Sequence, residues 1–191
     1  MTGNANYLTE GGNVTDVNLT ANESTEKWAG FYGNVTGSLT LQKGTTTIPL
    51  YTWSWSMSNG GEVCASTASN FPWASATAAV RAGIDTAWSF ATGDTDSATS
   101  TFTDTSCSIS INPVGALSTT GVFTKNSTNS GVWQTCAVDD GGAGESNFAF
   151  CVNMSSTNTF AVGGTGAYQL MVPTTETAGA TELYYFYAEL T

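Results

Sequence analysis

The 191-residue chain contains no histidine and only four basic residues, Lys27, Lys43, Arg81 and Lys125. Without histidine the usual general base and the commonest metal ligand are both missing. Four scattered cations against fifteen acids, a net charge of −11, cannot build the clustered basic face that displaces counterions from a nucleic acid. Anionic membrane surfaces are disfavoured for the same reason, and no apolar run approaches the roughly 20 residues of a membrane span. Charged residues make up 10% of the chain, where a soluble globular protein carries about 25%. Ser and Thr fill much of the gap with 53 residues. A hydrophobic fraction of 40% excludes a disordered polar tract, which lacks the apolar surface to fold. The length fits one domain.

Cys64, Cys107, Cys136 and Cys151 lack the paired spacing of zinc or thioredoxin-like sites, so two disulfides formed in an oxidising compartment are expected. Of the three pairings, Cys136 with Cys151 is favoured because both lie in strand-like runs flanking one loop, which leaves Cys64 with Cys107. The N-terminal MTGNANYLTEGGN has neither the basic patch nor the apolar core of a signal peptide. Its polarity also excludes a type IV pilin-like subunit, whose assembly needs a long apolar N-terminal helix. Acceptor sequons for N-linked glycans occur at Asn13, Asn18, Asn22, Asn34, Asn126 and Asn153. Three of them crowd into residues 13–24, as an exposed, glycan-shielded arm would have it; the plainer alternative is a polar arm with incidental sequons.

Most of the chain alternates with period two, the repeat that sends successive side chains to opposite faces of a strand. In the polar arm of residues 1–26, Val17, Leu19 and Ala21 share this spacing. From Trp28 onward runs recur around Val35–Leu41, Tyr51–Met57, Cys107–Ile111, Gly121–Thr124, Val132–Val138, Phe148–Val152, Phe160–Val162 and Tyr168–Val172. Asn59-Gly60-Gly61 reads as a hairpin turn returning residues 62–65 against the Trp-rich run. Leu183–Leu190 is apolar on both faces and is expected at the centre of a sheet. Three- and four-residue spacings behind Pro72 predict one helix near residues 73–88, packed at an end or edge, and residues 92–105 read as an exposed loop. The fold class is therefore all-β, a β-sandwich or jelly roll with one short helix over residues 27–191, preceded by the arm.

Chemistry is sparsely signalled. A carboxylate pair would suffice for glycoside hydrolysis, and Glu62 with Asp139-Asp140 are the acids best placed for it, although solvated turn acids explain them more simply. No catalytic residue and no cofactor is assigned. Asp94, Asp96 and Asp104, and Asp139-Asp140 through Glu145, offer carboxylates for calcium without completing its loop pattern, so no metal is assigned either. Trp53 and Trp55 alternate with Ser, which describes a core strand better than a sugar-stacking platform.

The segments Trp28-Ala-Gly-Phe-Tyr-Gly-Asn-Val-Thr-Gly37 and Glu182-Leu-Tyr-Tyr-Phe-Tyr-Ala-Glu-Leu190, with the Trp-rich run between them, resemble those of uncharacterised archaeal secreted or cell-surface glycoproteins. That resemblance covers mainly residues 27–65 and 168–190 and implies location more than action. The expected role is a structural subunit of an extracellular filament, sheath or surface layer, assembling as a homopolymer through donation of the Val17, Leu19 and Ala21 strand to a neighbouring copy. The competing expectation is an extracellular carbohydrate-binding or adhesive module.

Overall fold

The computed structural model describes residues 7–9, 12–14, 16–17, 20–24, 27–42, 49–55, 60–91, 93–142, 147–174 and 182–191, with the backbone alone before residue 27 and over 36–55. The chain is all-β and sandwich-like, as the period-two pattern predicts, with antiparallel sheets and very little helix. The arm supplies β1 (Tyr7–Thr9), β2 (Gly12–Val14), β3 (Asp16–Val17) and β4 (Thr20–Ser24). Then come β5 (Trp28–Gly33), β6 (Val35–Gln42), β7 (Pro49–Trp55), β8 (Gly61–Ser66) and the two-residue β9 (Thr77–Ala78). Two short helices, α1 (Arg81–Ala87) and α2 (Ala98–Thr101), precede β10 (Asp104–Ile111), β11 (Gly115–Lys125), β12 (Gly131–Asp139), β13 (Phe148–Asn153), β14 (Tyr168–Pro173) and β15 (Tyr185–Leu190).

The main sheet runs β10-β11-β12-β13-β8-β15, with β9 pairing the far end of β12. Its central strands are buried on both faces. From β13, Phe148, Phe150 and Val152 enter a large aromatic core, while Ala149 and Cys151 between them enter a second core on the other side. The same split divides Trp133 and Ala137 from Cys136 and Val138 on β12, and Val63 and Ala65 from Cys64 on β8. Against the aromatic face lies the sheet β14-β5-β4, which contributes Trp28, Tyr168, Leu170 and Val172; Ile84 of α1 and Ala98 of α2 fill the same core. The Met171 amide donates to the Thr135 hydroxyl at 3.1 Å, tying the two layers where apolar packing gives way to a polar contact.

The second core lies inside a curl of the main sheet. Its end strands are β10 and β15, yet Asn112, just past β10, hydrogen-bonds Glu189 of β15, and the Asn153 amide at the end of β13 donates to the Ser108 carbonyl of β10. Cys107, Ile109 and Ile111 of β10 are buried while Ser108 and Ser110 are exposed, so the alternation read in the sequence points its apolar members into the curl.

Several expectations need correction. Residues 62–65 do not return against the Trp-rich strand: β7 pairs β6, with Leu39 opposite Trp53, and β8 belongs to the main sheet between β13 and β15. Gly60 and Gly61 do take positive φ, of 93° and 126°, but the turn passes the chain from one sheet to another. Alternation fixes faces and not partners, so it could not distinguish the two outcomes. Leu183–Leu190 is not central either; β15 ends the strand order, with Leu183 and Tyr185 exposed. The predicted helix over 73–88 is broken. A 3-10 turn at Trp73–Ser75 leads into β9, where Ala78 and Thr77 join the ladder opposite Val138 and Asp139, and only Arg81–Ala87 is α-helical. In the stretch read as a loop, α2 forms where the Asp85 carboxylate accepts the amides of Ala98 and Thr99 and the Ser97 hydroxyl accepts that of Ser100, which satisfies donors that a helix start leaves orphaned. Phe160–Val162 is a turn, its ring held in the aromatic core and its chain reversed through Gly163 and Gly164.

Candidate functional site

Both disulfides form, but with a different connectivity: Cys64 bonds Cys151 and Cys107 bonds Cys136, not Cys136 with Cys151 and Cys64 with Cys107. The reason lies in the register. Cys151 stands between two opposite neighbours, Cys136 on β12 and Cys64 on β8, so adjacency to Cys136 does not decide its partner. The Cα atoms of Cys64 and Cys151 are 4.0 Å apart. Cys136 bonds across β11 instead, over Gly121, where an added Cβ would lie 2.4 Å from Cys107 Sγ and 2.9 Å from the Thr135 carbonyl oxygen. The absent side chain is what lets this disulfide pass. Two disulfides agree with an oxidising compartment. Among the described residues no helix is long and apolar enough to cross a membrane.

The acids nominated from the sequence are not brought together. Glu62 lies opposite Asn153 and Asp139 opposite Phe148, five residues along β13, a separation of about 17 Å at the rise of an extended strand. That exceeds the spacing of a glycosidase pair. Asp139 is held by the Gly141 amide, and Asp140 by the Gly142 amide and the Asn147 side chain, each closing its own turn. Glu145 of that calcium reading lies outside the described residues. In the other reading, Asp94 and Asp96 both receive the buried Lys27 ammonium, which sits over the Phe90 ring, while Asp104 turns away to the Ser106 amide and hydroxyl. The Lys27 side-chain ammonium thus engages both carboxylates, and its hydrogen bond holds the Asp96 carboxyl below the usual carboxylate range. Among the described residues no group of three or more His, Cys, Asp or Glu converges.

A second charged arrangement is a pair the sequence half revealed. Glu62 on β8 and Glu189 on β15 are register partners, 127 positions apart, at the end of the curl. Like charges directly opposite one another on neighbouring strands repel. Glu62 is 5% exposed, and its Oε1 is buried without a hydrogen-bond partner. Burial first, then the Glu189 charge and the hydrogen bond between the two carboxyls, push the Glu62 pKa up to about 7. Glu189 accepts from both the backbone and the side-chain amide of Asn112. The lone acid inside the apolar Leu183–Leu190 run was the signal for Glu189; nothing in the sequence pointed to Asn112.

No described tryptophan is exposed, and the exposed aromatic side chains among the described residues are Phe123 and Tyr185. Trp28 and Trp133 are buried, Trp73 and Trp88 half-buried, and the side chains of Trp53 and Trp55 lie outside the described set. Of the sequons, Asn34 is exposed between β5 and β6, Asn126 opens the β11–β12 turn by accepting from Thr128 and Ser130, and Asn153 is exposed with its amide nitrogen engaged by Ser108. Asn13 and Asn22 fall in β2 and β4, and Asn18 lies outside the described residues.

The arm residues nominated for strand donation do not form one strand. Val17 lies in β3 opposite Val35 of β6, Ala21 lies in β4 opposite Phe31 of β5, and Leu19 is outside the described residues. Each arm strand ends its sheet. No protein-family model matches the chain, and no curated protein or solved structure matches it either.

Proposed function

We propose that the protein is a structural subunit of an extracellular filament, sheath or surface layer, glycosylated at exposed sequons and assembled by exchange of its N-terminal strands between copies. The observation that carries this reading is the position of β3 and β4, which are outermost strands joined to β6 and β5 by backbone ladders. An outermost terminal strand can leave without unthreading the sheet, and the ladder it vacates accepts the same strand from another copy at the same register. Head-to-tail exchange of this kind is heterologous, so it propagates unless the rotation closes a ring. The two disulfides support an extracellular setting, because they hold the main sheet together without help from the arm.

Deletion of residues 1–24 tests this. The full chain is expected to form polymers visible by electron microscopy, and the truncated chain to remain monomeric with its disulfides intact. Unchanged polymers from the truncated chain, or a strictly monomeric full chain that binds tightly on a glycan array, overturn it, the latter in favour of a carbohydrate-binding module.

A further inference from the structure

We propose that the end of the curl is a calcium site, formed by the carboxylates of Glu62 and Glu189 with the side-chain carbonyl oxygen of Asn153.

Register puts the three residues in one row. Glu62 on β8 stands between Asn153 of β13 and Glu189 of β15, directly opposite each. All three share a face, because each lies two residues along its strand from a residue that lines the second core: Cys64, Cys151 and Tyr187. Side chains opposite one another on neighbouring strands have Cβ atoms about 5 Å apart, and the inner face of a curl draws them closer still, within reach of one ion.

The row holds an orphaned acid and lacks a positive partner. Glu62 is 5% exposed, and its Oε1 is buried with no hydrogen-bond partner. Buried charges in proteins are paired or coordinate metals. Of the described cations, Lys27 holds Asp94 and Asp96, Arg81 donates to the Thr99 carbonyl, and Lys125 lies on β11, three strands from β8. The Asn153 side-chain nitrogen donates to the Ser108 carbonyl at 3.1 Å, which leaves its oxygen as the atom to meet a ligand. Asn112 gives its backbone and side-chain N–H groups to Glu189, fixing that carboxylate without neutralising it.

The donor set is oxygen alone, since the four cysteines are joined in disulfides and the chain has no histidine. Carboxylate and carbonyl oxygens suit hard cations. Calcium accepts an irregular set of them and completes its shell with water, whereas magnesium demands a near-ideal octahedron. Bound here, the ion offsets two like charges and ties β8 to β15. None of these residues lies in the arm, so the site is independent of the assembly proposed above.

Calorimetric titration of calcium chloride into the full, oxidised chain, first stripped with a chelator, is expected to give a Kd of about 0.1 to 1 mM, the range of extracellular calcium modules. Calcium chloride at about 10 mM should then raise the ratio of folded to unfolded chain about 10- to 100-fold over sodium chloride of equal ionic strength. Glu62→Gln, which keeps the shape of the side chain and removes its charge, should weaken binding about tenfold or more with both disulfides still formed. An unchanged affinity in E62Q overturns the site. Independently of any variant, the wild-type amide resonances that move most on addition of calcium should be those of Glu62, Asn153, Glu189 and their neighbours. Largest shifts at residues 94–96 or 139–142, or no effect beyond that of sodium chloride, are equally fatal.

Discussion

The two cores on either side of the main sheet are built on different principles. The aromatic core stacks Trp28, Phe90, Phe102, Trp133, Phe148, Phe150, Phe160 and Tyr168 between two layers, with Trp28 and Phe102 centroids 5.4 Å apart and Phe102 and Phe150 5.9 Å apart. Among the described residues the core inside the curl has Phe71 as its one fully buried aromatic and otherwise holds Ala76, Ala149, Val138, Ile109, Ile111 and the four cysteines. A tight curl leaves little room for large rings, so it gains less from apolar burial, and its covalent crosslinks compensate by limiting the freedom of the unfolded chain. Strength here comes from area on one face and from connectivity on the other.

Substitutions on each side sharpen that contrast. The largest effect is expected for Cys64→Ala with Cys151→Ala, which frees a loop of 87 residues and should cost about 4.5 kcal/mol by the chain-entropy relation. Denaturant midpoints of this variant and of the Cys107→Ala, Cys136→Ala pair, whose loop is 29 residues, give the comparison. The shorter loop should cost about 1 kcal/mol less. A reversed order would mean that the crossing over Gly121, and not chain entropy, carries the stabilisation.

On the aromatic side, Phe150→Ala removes a ring in contact with Trp88 and Phe102 and should cost about 3 to 4 kcal/mol, with the disulfides still formed. If reduction of both disulfides costs much less than this one truncation, the division of labour between the cores is wrong. The smallest effect is expected for Gly121→Ala, at about 2 kcal/mol, because its methyl meets Cys107 Sγ and the Thr135 carbonyl. In the Cys107→Ala, Cys136→Ala background that cost should shrink only in part, since the Sγ is gone while the Cβ at position 107 and the Thr135 carbonyl remain; an additive result would place the strain elsewhere.

How far the sequence could be read depends on which physical term decides each feature. Period-two runs such as Cys107, Ile109 and Ile111 announced the buried face of β10 correctly, because burial of a face depends only on the residues of that strand. The same rule failed for Leu183–Leu190, where apolar character on both faces suggested a central strand. There Phe186 and Leu190 pack against the aromatic core from an edge, and Tyr187 lies beside the second core. Helical spacing behind Pro72 was overridden at Thr77–Ala78 by a ladder to β12, a partner about 60 residues away. Glu62 was legible as an unusual acid within a strand, while its meaning rested on Glu189 and Asn112, brought to it by the curl.

By itself, the sequence determined the class of the fold, the oxidation of its four cysteines and the poverty of cationic and imidazole chemistry, because composition and alternation act through local preference and through burial of one face at a time. Tertiary structure alone decided which strands became neighbours, which cysteines met and which carboxylates faced each other. Those outcomes depend on ladders closed over long loops, and the entropy of closing a loop changes so slowly with its length that many pairings compete until packing selects one.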